Sequence, residues 1–146
     1  MPDASAALVE DRSAELMPDI ERLKGLRLLV VEDEAIVAML VEDMLTDLGC
    51  VVVDIAGTVR SGLAIVQSEH IEIDGAVLDL NLGGEKVFPV AEALATRGLP
   101  FLFATGYGMA GLDGRFADRQ VLAKPFQERA LIDALLTTFI TQGGTS

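Results

Sequence analysis

The sequence predicts a doubly wound α/β domain built on a five-stranded parallel sheet. Two observations carry that expectation. Five short apolar runs (28–31, 51–53, 76–78, 101–104 and 121–123) read as strands, the first with the mark of burial on both faces, and segments with helical signals separate most of them. Four of the five runs also lead directly into residues able to do chemistry: Glu32 and Asp33, Asp79, Thr105, and Lys124. Open parallel sheets bind their ligands beyond the carboxyl ends of the strands, so that placement is informative.

Residues 1–25 read as a mobile N-terminal arm, either disordered or carrying a short amphipathic helix. Leu16, Ile20 and Leu23 would line such a helix, with Pro18 and Gly25 as start and stop. The domain proper is expected over 26–140, with 141–146 as a tail. After the first strand, residues 35–48 place Val37, Leu40, Val41, Met44 and Leu48 at helical spacing and end at Gly49. Val51, Val52 and Val53 make a β-branched second strand. Thr58 is positioned to N-cap a helix carrying Val59, Leu63 and Val66. The third strand ends at Asp79, and a helix over 87–97 precedes the fourth strand. Residues 106–119 contain Gly106, Gly108, Gly111 and Gly114. Each costs a helix ~1 kcal/mol relative to Ala, so any helix there should be weak. Pro125 stands near the start of the last helix, whose stripe is Leu131, Leu135, Leu136, Phe139 and Ile140.

A chain of 146 residues, 51% apolar, has the size and composition of one globular domain. Its net charge of −12 opposes binding to nucleic acid, which needs Lys and Arg to displace counterions. Cys50 is the single cysteine, so neither an internal disulfide nor a cysteine-based zinc site is expected. The sequence after Met1 is acidic and Ala-rich, unlike a signal peptide. The longest apolar run, 35–41, is too short for a bilayer, and a cytoplasmic setting without membrane contact is expected.

The strand-end residues form one constellation. Gathering Glu32, Asp33 and Asp79 is unfavourable unless a cation relieves their repulsion. Mg²⁺ prefers carboxylates, waters and phosphate oxygens. An Asp side chain can serve as nucleophile and form an aspartyl phosphate. Phosphoryl transfer then needs alignment and neutralisation of the equatorial oxygens, for which Lys124 and the Thr105 hydroxyl are suited.

The strings VVEDE (30–34), LDLNL (78–82), FATGYG (103–108) and AKPF (123–126) resemble the receiver domains of two-component response regulators, in order and spacing over about 26–140. The resemblance implies a flavodoxin-like fold with strand order 2-1-3-4-5. It makes Asp79 the phosphoacceptor, Asp33 a direct metal ligand, Glu32 its water-linked companion, and the Asn81 backbone carbonyl a further ligand. It also implies Mg²⁺ as cofactor, with Mn²⁺ as a substitute. Thr105 resembles the switch hydroxyl, Gly106 the small residue beside it, and Lys124 the lysine of the phosphate site; Pro125 then has a structural role. FATGYG narrows the likeness to the FAT GUY subgroup of single-domain regulators, whose partners are HWE and HisKA2 histidine kinases. Tyr107 is a candidate for readout by a downstream protein. The implied function is a stand-alone receiver that signals by protein contact or drains phosphate from a kinase, and turns over no separate substrate.

Three departures from the pattern stand out. Leu82-Gly83-Gly84 replaces the usual proline-containing loop and should be more mobile. Val121 replaces the usual switch aromatic, and the 106–119 segment is glycine-rich. Rival readings fit less well. A haloacid-dehalogenase-type phosphatase puts its nucleophile after strand one, where Glu32 and Asp33 stand. A flavodoxin-like flavin binder would find its phosphate repelled there. An unphosphorylated pseudo-receiver adaptor usually lacks the Asp, Thr or Lys that this chain keeps. His70, in a polar stretch, reads as a surface residue.

Overall fold

The structure is a computed structural model that describes residues 19–106 and 114–141. In chain order the elements are β1 (Arg27–Val31), α1 (Ala35–Asp47), β2 (Val51–Ala56), α2 (Val59–Val66), β3 (Gly75–Asp79), β4 (Asn81–Leu82), β5 (Glu85–Lys86), α3 (Phe88–Thr96), β6 (Phe101–Thr105), β7 (Val121–Ala123) and α4 (Glu128–Leu135). A 3₁₀ turn spans Gly114–Phe116, and α4 continues as a π-helical segment over Leu136–Thr141. The large sheet is parallel in the order β2-β1-β3-β6-β7, which is the expected 2-1-3-4-5 arrangement.

Strand alternation divides the interior into two cores. Leu29 and Val31, Ala76 and Leu78, and Phe101 and Phe103 face α2 and α3. Leu28 and Val30, Val77, and Leu102 and Ala104 face α1 and α4. Four phenylalanines, Phe88, Phe101, Phe103 and Phe116, pack ring to ring in the first core at centroid separations of 5.5–6.3 Å. Gly75 opens β3 where a side chain has no room, because a Cβ there would lie 2.4 Å from the Pro100 carbonyl oxygen and 2.2 Å from Phe139 Cε1.

Thr58 caps α2 as its position implied: Oγ1 accepts the Ser61 N–H at 3.0 Å, and Ser61 Oγ accepts the Thr58 N–H at 3.2 Å. Thr58→Ala should therefore lower stability by about 1 kcal/mol, the usual worth of an N-cap. Thermal or urea unfolding with no measurable loss would remove the cap from the list of stabilising contacts.

The structure departs from the sequence expectations in several places. The packed body begins before residue 26: Leu23 is fully buried, Ile20 packs beside it, and Leu23 O accepts from Cys50 Sγ at 3.6 Å. Burial also pushes the Cys50 thiol up to about 11, so it stays protonated. In α1 the buried positions are Ala38, Val41 and Leu45, whereas Leu40 is exposed together with Ile36 and Met39. Pro125 does lie near the start of the last helix, three residues before α4, and it follows a cis Lys124–Pro125 bond. Of residues 82–84, expected as a mobile loop, Leu82 is a paired residue of β4, and Gly83 and Gly84 form the tight turn of an antiparallel β4–β5 hairpin. Gly83 and Gly84 have φ of 57° and 94°, and positive φ at both central residues is what a type I′ hairpin turn demands. The expectations for Tyr107, for the 107–113 part of the 106–119 segment and for the 142–146 part of the tail fall outside the described residues. No described helix is long and apolar enough to cross a membrane.

Candidate functional site

Strand order reverses between β1 and β3: the chain passes from β1 outward to β2, then returns across β1 to β3. The crevice beyond the carboxyl ends of β1 and β3 is where such a sheet accommodates ligands. The strand-end residues converge there. Glu32 and Asp33 follow β1, Glu32 buried and Asp33 exposed. Asp79 ends β3 and is 7% exposed. One carboxylate oxygen from each of these three residues lies within 4.8 Å of the others.

Lys124, just past β7, reaches back to this cluster. Its Nζ donates to Glu32 Oε1 at 2.5 Å and sits 3.3 Å from Asp79 Oδ2. The second Glu32 oxygen accepts the Glu34 N–H at 3.1 Å, so this carboxylate is held at both ends. Asp79 Oδ1 accepts the Asn81 N–H at 3.3 Å. Thr105 is fully buried at the end of β6, one residue past the Asp79–Ala104 pairing, and its carbonyl accepts the Lys124 N–H at 2.9 Å. Gly106 follows as an exposed turn.

Burial first, then the hydrogen bond and charge of Glu32, push Asp79 up to about 7 against the pull of Lys124. Burial pulls Lys124 down, but its Glu32 hydrogen bond and the charges of Asp79 and Glu32 outweigh that and raise it. The site thus gathers three carboxylates around one ammonium, leaving excess negative charge. A hard divalent cation fits this set, because it would relieve the repulsion that raises Asp79.

Sequence reasoning missed the hairpin and what it carries. Asn81 of β4 pairs directly with Lys86 of β5, and Lys86 Nζ donates to Asn81 Oδ1 at 2.6 Å. The signal was present as two glycines between Asn81-Leu82 and Glu85-Lys86. An apolar groove of about 330 Å³, lined by Val37, Leu40, Met44, Pro125 and Phe126, also opens beside Lys124. By contrast, the ion pair of Arg27 with Asp74 and Glu72 lies near the opposite, amino-terminal edge of the sheet. His70 is exposed.

Comparison with known proteins agrees with this geometry. SdrG from Sphingomonas melonis Fr1 is 48% identical, with a TM-score of 0.68 over 76% of this chain and 93% of that one. A BeF₃-activated conformation of SdrG, its source given as Pseudomonas melonis Fr1, is 49% identical, with a TM-score of 0.64 over 75% and 92%. The response regulator PhyR from Brucella abortus is 25% identical, with a TM-score of 0.76 over 90% of this chain but 55% of that one. No curated protein matches. The family model for the response regulator receiver domain matches residues 28–136, from β1 through α4. Over that span the chain belongs to the response regulator receiver domain family.

Proposed function

We propose that the protein is a single-domain response regulator whose Asp79 accepts a phosphoryl group from a sensor histidine kinase in a Mg²⁺-dependent reaction. The observation that carries this is the Lys124 ammonium held between Glu32 and Asp79 beside Asp33. In the reaction an Asp79 carboxylate oxygen forms the new bond to phosphorus as the bond from phosphorus to the kinase histidine nitrogen breaks. The nitrogen keeps the electron pair of that bond.

Glu32, Asp33, Asp79 and the Asn81 carbonyl would hold the ion. When bound, Mg²⁺ supplies positive charge to the carboxylates and phosphoryl oxygens. Lys124 would neutralise a further oxygen, and the Thr105 hydroxyl would donate a hydrogen bond to a third. The relative described as BeF₃-activated supports this reading, since beryllofluoride imitates a phosphoryl group on a carboxylate. The HWE or HisKA2 class of kinase rests on the FATGYG string. The response is then read by a downstream protein, or the chain drains phosphate from its kinase.

Mg²⁺ at ten times its Kd should stabilise the wild type by about 1.4 kcal/mol, as any ligand of the folded state does. Asp33→Ala should lose most of that gain. A variant that keeps the full gain places the ion elsewhere. Phosphotransfer from purified HWE or HisKA2 kinases should outpace transfer from kinases of other classes, and equal rates would remove the class assignment.

A further inference from the structure

The β4–β5 hairpin overhangs the carboxylate cluster. The Asn81 N–H donates to Asp79 Oδ1 at 3.3 Å, and a Cβ on Gly83 would lie 3.7 Å from Asp33 Oδ2. The hairpin is anchored from below, because Leu80, Leu82 and Val87 are buried and the Val87 N–H donates to Leu80 O at 3.0 Å. Side chains alternate along a strand, so Asn81 stands on the other side from Leu80 and Leu82. Lys86 is paired opposite Asn81, and its ammonium donates to the amide oxygen at 2.6 Å. Among the described residues Lys86 has no carboxylate partner, although the chain carries a net charge of −12.

We infer that Lys86 is a positioning residue that prolongs the life of the phosphoryl group on Asp79 by occupying the side-chain oxygen of Asn81. This rests on Asp79 being phosphorylated. Hydrolysis needs a water whose oxygen forms a bond to phosphorus while the bond from phosphorus to the Asp79 oxygen breaks. The electron pair returns to the carboxylate, and the water's proton leaves with inorganic phosphate. A side-chain amide oxygen next to a phosphoryl group orients such a water by accepting its hydrogen bond. Asn81, whose backbone N–H donates to Asp79 Oδ1, carries such an amide two residues past the acceptor. Lys86 fills one of its lone pairs and, through its charge, weakens the other as an acceptor. The contact is exposed, so its effect is moderate.

The test loads the full chain with phosphoramidate and Mg²⁺, removes the donor, and follows loss of the acyl phosphate. Lys86→Ala should shorten the half-life by about three- to tenfold, the range expected on losing one charge-assisted hydrogen bond at an exposed site. Lys86→Arg should restore most of it. In an Asn81→Ala background, which keeps the backbone N–H and carbonyl, Lys86→Ala should change nothing further. A merely structural hairpin contact would shorten the half-life regardless of Asn81, and that result overturns the inference. So does an unchanged or longer half-life in Lys86→Ala. If the wild type takes up no phosphate, the proposed function has failed instead, and the loading step reports it separately.

Discussion

Asp79→Asn is expected to abolish phosphoryl incorporation from a small phosphodonor, whereas the wild type takes up one phosphate per chain. The amide keeps the shape of the carboxylate but lacks its nucleophilic oxygen. Intact-mass measurement reads the result directly, and undiminished labelling of the variant would sink the assignment of the acceptor. The same substitution should raise the melting temperature of the metal-free protein at neutral pH. Burial and Glu32 hold Asp79 near 7, well above the 3.8 of an unfolded aspartate. A carboxyl group raised in the folded state contributes stability below pH 4 and loses it as pH climbs to 7. Asn undergoes no such loss, so the gap between variant and wild type should open between those values and then level off. Saturating Mg²⁺ should narrow it. A gap that stays constant with pH would mean that Asp79 is not held in this state.

Gly75→Ala should be the most destabilising single-methyl change among the described glycines. The new Cβ meets the Pro100 carbonyl oxygen at 2.4 Å and the Phe139 ring at 2.2 Å. The ring can turn, but the carbonyl belongs to the backbone and accepts the Ala76 N–H. Relief therefore requires moving the start of β3, the strand that carries Asp79 at its other end. Overpacking of this kind costs about 3 kcal/mol, or roughly 6–12 °C in a domain of this size. Phe139→Leu added to Gly75→Ala should recover only part of the loss, because Pro100 remains. Full recovery would show that the ring alone made the clash, and an unchanged melting temperature would show that the strand end yields freely.

The strands and their terminal residues were legible because burial on both faces makes β1, β3 and β6 uninterrupted apolar runs, and the edge strands β2 and β7 keep short apolar runs although they are partly exposed. Glu32, Asp79, Thr105 and Lys124 break those runs, and each marks a strand end at the crevice. The α1 face was read less well. Residues 35–41 are apolar all round, so periodicity could not tell Leu40, which is exposed, from Ala38, which is buried. The hairpin was missed because its strands are two residues each, too short for any alternation to register. The Lys86–Asn81 contact depends on that pairing and was hidden with it. Leu23 was assigned to an arm because the short stripe of Leu16, Ile20 and Leu23 shows a helical face but not what that face packs against. Its burial depends on a contact with Cys50, 27 residues away.

The phenylalanine cluster gives the molecule a built-in optical label. The chain has no tryptophan and a single tyrosine, and four of its six phenylalanines interlock on the α2–α3 side of the sheet. Fixed, mutually coupled rings give near-ultraviolet circular dichroism, and that signal vanishes when specific packing loosens while secondary structure remains. Here the phenylalanine band would arise mainly from one of the two cores. Far-ultraviolet ellipticity would report the backbone of both. Comparing the two during a titration would therefore show whether one side of the sheet loosens before the other, with no probe attached.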